Sequence, residues 1–125
     1  MPDKKITESE YEIMRLLWDT GRPMTVTEIR LALQESTHWE PTTIKTLIGR
    51  LTEKGALVRT KNGVYSYAPA ITEREYTNQV TGNVVQRLFR GSAKALVASL
   101  IDSQGLTLQD IAQLQEMFHV PEDQK

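Results

Sequence analysis

The spacing of apolar residues changes from helical to strand-like at Gly55. After this glycine, residues 57–67 form two runs rich in β-branched and aromatic side chains, separated by Asn62 and Gly63. An Asn-Gly pair between two such runs is a strong signal for a tight β-hairpin, because both residues tolerate the positive φ angles that the turn requires. The N-terminal part of the chain must therefore fold around a hairpin at this position.

Three helices are predicted before the hairpin. Residues 7–10 and 25–28 both have the spacing of a capping box, in which a threonine and a glutamate satisfy the first amides of a helix. The third helix is predicted from Pro41 to Gly55, because proline is favoured in the first turn and glycine after the last. Three helices followed by a hairpin is the order of a winged helix, whose third helix enters the major groove of DNA while the hairpin lies along the phosphates.

The predicted third helix has two different faces. The apolar face consists of Ile44, Leu47, Ile48 and Leu51. The opposite face consists of Thr42, Lys45, Thr46, Gly49, Arg50 and Glu53. The first set matches the core stripe of an amphipathic helix. The small polar and long cationic side chains of the second set would let the helix backbone approach a grooved polyanion while hydroxyl and guanidinium groups reach its edges.

The basic residues that could support DNA binding are concentrated in one segment. The whole chain carries 15 Lys and Arg against 16 Asp and Glu, a net charge of −1, so its overall charge does not attract DNA. Residues 45–61 contain a local excess, opposed only by Glu53, that consists of Lys45, Arg50, Lys54, Arg59 and Lys61. On the hairpin, Arg59 and Lys61 are expected along the phosphates, and Tyr65 and Tyr67 are either beside them or packed across the strands.

Three further helices are predicted after residue 70, with breaks at Gly91 and Gly105. The apolar residues of the fourth helix spread over about 220° of its circumference, an arc too wide for one neighbouring helix to cover. A second copy of the chain would cover it, so we expect residues 1–70 to bind DNA and residues 71–125 to form a helical dimerisation domain. The candidate dimerisation residues are Tyr76, Val80, Val84, Leu88, Leu100, Ile111, Leu114 and Phe118.

The composition argues against several other classes of protein. The absence of cysteine removes thiolate chemistry and disulfides, and the two histidines, His38 and His119, lie in different predicted domains without metal-ligand spacing. No cofactor, metal site or enzymatic activity is expected, since no nucleophile–base cluster or phosphate-binding loop is present. No apolar run is long enough for a membrane span and no signal peptide is evident, which predicts a cytoplasmic protein.

Several blocks of the sequence resemble the penicillinase-repressor and copper-transport-repressor family, of the BlaI, MecI and CopY type, over about residues 6–119. The blocks are Tyr11–Met14 with Trp18, His38–Pro41, Thr43–Thr46, Gly49–Leu51, Glu53–Leu57 and the strand with Tyr65 and Tyr67. The resemblance implies a homodimeric repressor, an N-terminal winged helix, a C-terminal dimerisation lobe and an inverted-repeat operator with TACA and TGTA half-sites. By the family's pattern, the residues that face DNA are Thr42, Thr43, Lys45, Thr46 and Arg50 in the groove, with Lys54 and the hairpin on the backbone.

The resemblance leaves the inducing signal and the regulated genes open. Residues 43–51 are closer in sequence to the copper-responsive branch than to the β-lactam branch. The copper-responsive branch binds copper(I) or zinc through a CxC…CxC motif, however, and this sequence contains no cysteine. In the β-lactam branch, induction cuts an Asn-Phe bond in the fifth helix, and the matching pair here is Ser99 and Leu100. A winged helix that binds another protein rather than DNA is the alternative function.

Overall fold

A computed structural model describes residues 5–118 and has six helices and three strands within that range. The elements are α1 (Glu8–Thr20), β1 (Met24–Thr25), α2 (Val26–Thr37), α3 (Pro41–Glu53), β2 (Leu57–Asn62), β3 (Val64–Pro69), α4 (Glu73–Leu88), α5 (Ala93–Gln104) and α6 (Leu108–Phe118). The predicted fold class, mainly α with a winged helix and a small hairpin, is confirmed.

The helix ends follow the local signals in the sequence. Thr7 and Thr25 each accept a hydrogen bond from the amide of the glutamate three residues later, and each glutamate accepts from the threonine amide, which completes both predicted capping boxes. Gly55 ends α3 with a φ of 82°, a conformation that suits glycine because it has no Cβ. The chain therefore turns sharply out of α3 and into β2.

The three strands form one antiparallel sheet in the order β1-β3-β2. The hairpin pairs Arg59 with Tyr67 and Lys61 with Tyr65, and Gly63 has a φ of 82° in its turn. β1 adds Met24, which pairs with Tyr67 at the root of the hairpin. β1 was not predicted from the sequence, because a strand of two residues has no detectable alternation.

The hydrophobic core lies between the first three helices and the sheet. Its buried residues include the whole predicted apolar face of α3 together with Ile13, Met14 and Leu17 of α1. Tyr67 is 8% exposed and belongs to this core, so its role is packing and not contact with phosphate. α3 is thus held from one side only, and its opposite side is left to solvent.

The chain divides into two compact units between Thr77 and Asn78. The first turns of α4 therefore belong to the N-terminal unit, whereas the predicted boundary lay at residue 70. In the C-terminal unit, none of the described residues of α4, α5 and α6 is buried. Within residues 5–118, no helix combines the length and the apolar character needed to cross a bilayer.

Candidate nucleic-acid interface

The solvent-facing side of α3 carries all the side chains predicted to enter a groove. Thr42, Thr43, Lys45, Thr46 and Arg50 are exposed, as are Gly49 and Glu53 between and beyond them. The rotation of α3 about its axis is fixed by its apolar face, whose residues are at most 5% exposed and anchor the helix in the core: Ile44, Leu47, Ile48 and Leu51. The helix therefore presents hydroxyl, ammonium and guanidinium groups from a rigid support.

Thr46 makes one of its hydrogen bonds inside the helix. Its hydroxyl donates to the carbonyl oxygen of Thr42 at 2.9 Å, a common arrangement for threonine in helices. The hydroxyl proton is thereby occupied, and the methyl group and an oxygen lone pair remain for a ligand. A methyl group on this side of the helix is suited to contact with the methyl group of thymine.

Gly49 leaves the backbone of α3 without a side chain at the middle of this exposed side. Apart from its chain neighbours and the backbone of its own helix, a methyl group added at its α-carbon would meet no heavy atom within 4 Å. Glycine in the middle of a helix lowers stability by about 1 kcal/mol relative to alanine, so its presence needs a reason other than the packing of this chain. Close approach of the helix backbone to a bound surface is such a reason.

The hairpin carries a group of two cations and one aromatic ring on a single face. Arg59 and Lys61 are two residues apart on β2, and Tyr65 lies opposite Lys61 on β3. The guanidinium carbon of Arg59 is 4.4 Å and the Nζ of Lys61 is 5.4 Å from the centre of the Tyr65 ring, within the range of cation–π contacts. All three side chains are exposed, so the face is available to phosphates.

Lys54 has a different environment from the other cations. Its Nζ donates to a carboxylate oxygen of Glu10 and, at 2.7 Å, to the carbonyl oxygen of Lys5, and its side chain is only 17% exposed. Lys54 is predicted to contact the DNA backbone, and in the chain without DNA it forms an internal ion pair that joins the end of α3 to the start of α1.

The ion pair stabilises a carboxylate that is almost fully buried. Glu10 is 1% exposed. Burial alone would raise the pKa of Glu10, but hydrogen bonds from Lys54 and from the Thr7 amide, with the charge of Lys54, outweigh it and lower the pKa below its ordinary value of 4.5. The carboxylate of Glu10 is therefore ionised at neutral pH, and its buried negative charge is stabilised by Lys54.

The remaining cations form the positive surface of the N-terminal unit. Lys45 and Arg50 on α3 and Arg59 and Lys61 on the hairpin are exposed, and none forms an ion pair with another of the described residues. Glu53 is the only acidic residue within the same segment of sequence. A surface with these charges attracts a polyanion, although the whole chain has a net charge of −1.

A family model described as penicillinase repressor matches residues 6–119 of the chain. The chain belongs to the penicillinase repressor family. Its members are transcriptional repressors, and this protein is accordingly a DNA-binding repressor with a winged helix. The resemblance noted from the sequence blocks is confirmed over almost the full length.

Individual relatives support the assignment. The chain is 38% identical to an uncharacterised 16.5 kDa protein of Latilactobacillus sakei, over 91% of this chain and 78% of that protein. It is 27% identical to the penicillinase repressor of Bacillus licheniformis, over 97% and 94%. Among solved structures, the monomeric form of Bacillus licheniformis BlaI in complex with the blaP half-operator matches with a TM-score of 0.52 and 35% identity, over 58% of this chain and 89% of that one.

The predicted dimerisation residues do not form one group in the single chain. Val80, Leu88, Leu114 and Phe118 are exposed, and Val84, Leu100 and Ile111 are half-buried. Tyr76 belongs to the N-terminal unit, where its ring contacts Tyr11 and Trp18 of α1. This contact was not predictable from the sequence, because Tyr76 continues the apolar spacing of α4 and nothing in the local sequence distinguishes it from Val80.

The two histidines lie in different parts of the chain. His38 is exposed and ends α2 with a φ of 59°, just before the first turn of α3. His119 lies outside the described residues. No group of three histidine, aspartate or glutamate side chains within residues 5–118 is arranged to hold a metal ion.

Proposed function

We propose that this repressor binds an inverted-repeat operator with TACA and TGTA half-sites as a homodimer. Each N-terminal unit places α3 in a major groove and its hairpin along the adjacent phosphates. The observation that carries the proposal is the exposed side of α3, where threonines, Lys45 and Arg50 are held by a core-packed helix and accompanied by the cations of the hairpin. No enzymatic activity is expected.

The C-terminal unit supports the proposed dimer. Leu88 is 70% exposed, Leu108 81%, Met117 67% and Phe118 66%, and these residues belong to α4 and α6. Monomeric proteins seldom leave so many large apolar side chains in water, and a second copy of the chain would remove them from it. A dimer also matches the two-fold symmetry of an inverted repeat.

Operator binding is tested by fluorescence anisotropy of a labelled duplex with the inverted repeat and of a scrambled duplex at near-physiological salt. We expect a preference of about a hundredfold or more for the repeat, where specific DNA-binding proteins typically reach about 10³–10⁷-fold. Equal and weak binding to both duplexes would contradict the proposed operator. A stable protein partner found together with that result would favour the role of a protein-interaction module.

The Arg50→Ala and Lys61→Ala variants separate base recognition from phosphate contact. Arg50 is suited to a bidentate contact with guanine, so we expect its loss to cost about 1–3 kcal/mol on the specific duplex and little on the scrambled one. Lys61→Ala should weaken binding to both duplexes alike and reduce the slope of log affinity against log salt by about one. A salt titration of both variants decides the assignment, and the reverse pattern would exchange their roles.

A Gly49→Ala variant should show opposite effects on folding and on operator binding. The added methyl group meets open space in the free protein, so alanine should raise the free energy of unfolding by about 1 kcal/mol. The same methyl group would stand between the backbone of α3 and the DNA and weaken operator binding by roughly tenfold. Urea unfolding and anisotropy on one preparation measure both effects. Unchanged operator affinity would show that α3 does not approach DNA closely at this position.

The inducing signal is open, and the 125 residues contain no cysteine for a copper(I) site of the CxC…CxC kind. We propose that derepression acts on the dimerisation lobe, either by opening it or by changing the spacing of the two α3 helices. The pair Ser99 and Leu100, which matches the cleavage position of the β-lactam branch, is half-buried within α5. A protease would therefore need α5 to unfold locally before it cut there.

A further inference from the structure

The two faces of the hairpin differ in charge. Side chains alternate between the faces along each strand, and paired residues of antiparallel strands share a face. The face that holds Leu57 and Tyr67 also holds Arg59, Lys61 and Tyr65, and we call it the core-side face. The residues of the opposite face, the outer face, are uncharged: Val58, Thr60, Asn62, Val64, Ser66 and Ala68. Of the two faces, the core-side face is therefore the one that can offer cations to phosphate groups.

The core-side face changes from buried to exposed along the hairpin. Leu57 and Tyr67 are buried at the root, where this face covers the hydrophobic core. Tyr65, two residues before Tyr67 on β3, is 43% exposed, and Arg59 and Lys61 on β2 are exposed as well. The core thus fixes the face at the root, and the same face continues beyond the core into solvent with its cations.

Tyr65 contacts both cations of this face. Lys61 is its direct partner across the strands, and Arg59, two residues earlier on β2, is its diagonal neighbour. The centre of the Tyr65 ring is 4.4 Å from the guanidinium carbon of Arg59 and 5.4 Å from the Nζ of Lys61. The electron-rich face of an aromatic ring attracts both cations, so one ring holds two long side chains that carry the same charge near each other.

Such contacts prepare the two cations for an anion. Lysine and arginine lose more side-chain entropy on being ordered than most other residues do. A free chain in which Tyr65 already restricts both side chains has less of this entropy to lose when DNA binds, and the binding is correspondingly tighter. A residue at this place can therefore change the affinity for DNA without contacting DNA.

We propose that the hairpin meets the DNA phosphates with its core-side face and that Tyr65 is a positioning residue, which acts through Arg59 and Lys61. The inference rests on the proposed function, since it requires a bound duplex. Arg59 and Lys61 each neutralise a phosphate, and the Tyr65 ring stays beneath them. The outer face, with the exposed Val64 near the turn, is turned away from the phosphates in this arrangement.

The test is a mutant cycle on the full-length protein. Tyr65→Leu removes the ring, and Tyr65→Phe keeps the ring without its hydroxyl. Val64→Ala is the matched control on the outer face, one residue away on the same strand. Tyr65→Leu is also made in the Arg59→Ala/Lys61→Ala background, where the ring has no cation to hold. All variants are titrated by anisotropy against the operator and the scrambled duplex, at a salt concentration low enough for the background variant to bind.

We expect Tyr65→Leu to bind both duplexes roughly three- to tenfold more weakly than the wild type, because two cation–π contacts are lost. Tyr65→Phe and Val64→Ala should stay within about twofold of the wild type. In the Arg59→Ala/Lys61→Ala background, Tyr65→Leu should change the affinity by less than about twofold, since the residues through which it acts are gone.

A loss that persists in that background would show that Tyr65 contacts DNA or supports the hairpin by itself, and would overturn the inference. A Tyr65→Leu variant with wild-type affinity would overturn it as well, and so would an equal loss in Val64→Ala, which would place the outer face at the DNA. The proposed function is judged by the wild type alone. A wild type that binds the operator and the scrambled duplex equally would contradict the proposed function, whatever the variants do.

Discussion

A Leu88→Glu variant is expected to be a monomer and to bind the full operator about 10²–10⁴-fold more weakly than the wild type. Leu88 is 70% exposed in the single chain, so a glutamate there remains in water while the chain is alone. In the proposed dimer the same carboxylate would be buried against apolar side chains, at a cost that the interface cannot recover. Sedimentation velocity measures the oligomeric state, and anisotropy measures binding.

Leu31→Glu is the matched control for this variant. Leu31 is also an exposed leucine, at 57%, but it lies on α2 in the N-terminal unit. Its substitution introduces the same charge without touching α4 or α6, so the oligomeric state should not change. If Leu88→Glu sediments as the wild type does, the interface does not include the end of α4, and α6 becomes the next segment to test.

A Lys54→Met variant is expected to lower the free energy of unfolding by about 3 kcal/mol. The substitution leaves the carboxylate of Glu10, 1% exposed, without its cationic partner, and an unpaired buried charge is costly. Lys45→Met on the exposed side of α3 is the control and should change stability by less than about 0.5 kcal/mol. Urea unfolding at neutral pH measures both variants at one protein concentration.

The double variant Glu10→Gln/Lys54→Met should recover most of the stability lost in Lys54→Met. Glutamine is also accepted in a capping box, so the start of α1 is kept while the buried charge is removed. If Lys54→Met instead folds normally and reduces the salt dependence of DNA binding by about one unit of slope, Lys54 contacts phosphate after all.

The pH dependence of stability provides a second readout of the same pair. The pKa of Glu10 is lower in the folded state than its ordinary value of 4.5, so the unfolded chain takes up the proton first as the pH falls. The stabilisation by Glu10 is therefore complete above that value and is lost as the pH falls through the lower pKa of the folded state. The double variant should lose less stability than the wild type over this acidic range.

The secondary structure was predictable because its signals are local. Capping boxes at residues 7–10 and 25–28 and the Asn-Gly pair at the hairpin turn act within one turn of the chain, and the structure has each of them where the sequence placed it. The exposed side of α3 was predictable for a similar reason, since its core stripe fixes the helix rotation.

Contacts between distant residues were not predictable in this way. Lys54 and Glu10 are 44 residues apart, and a lysine near the end of a recognition helix has the same local sequence whether it contacts phosphate or an internal carboxylate. Tyr76 likewise has the spacing of its apolar neighbours on α4, and only the position of α1 shows that its ring is used within the N-terminal unit. In both cases the residue type indicated the kind of contact, a charged one for Lys54 and an aromatic one for Tyr76, but the sequence did not indicate the partner.

The sheet supports the hairpin unevenly along its length. β1 pairs only with Tyr67 and Ser66 of β3, whereas the turn end, from Lys61 to Val64, is paired only within the hairpin. Separating the strands at the turn end of the hairpin breaks few hydrogen bonds, whereas separating them at the root, beside β1, would disturb the core that contains Tyr67. In the proposed complex, the turn end of the hairpin would therefore adjust more easily than its root to differences in local DNA shape between the two half-sites.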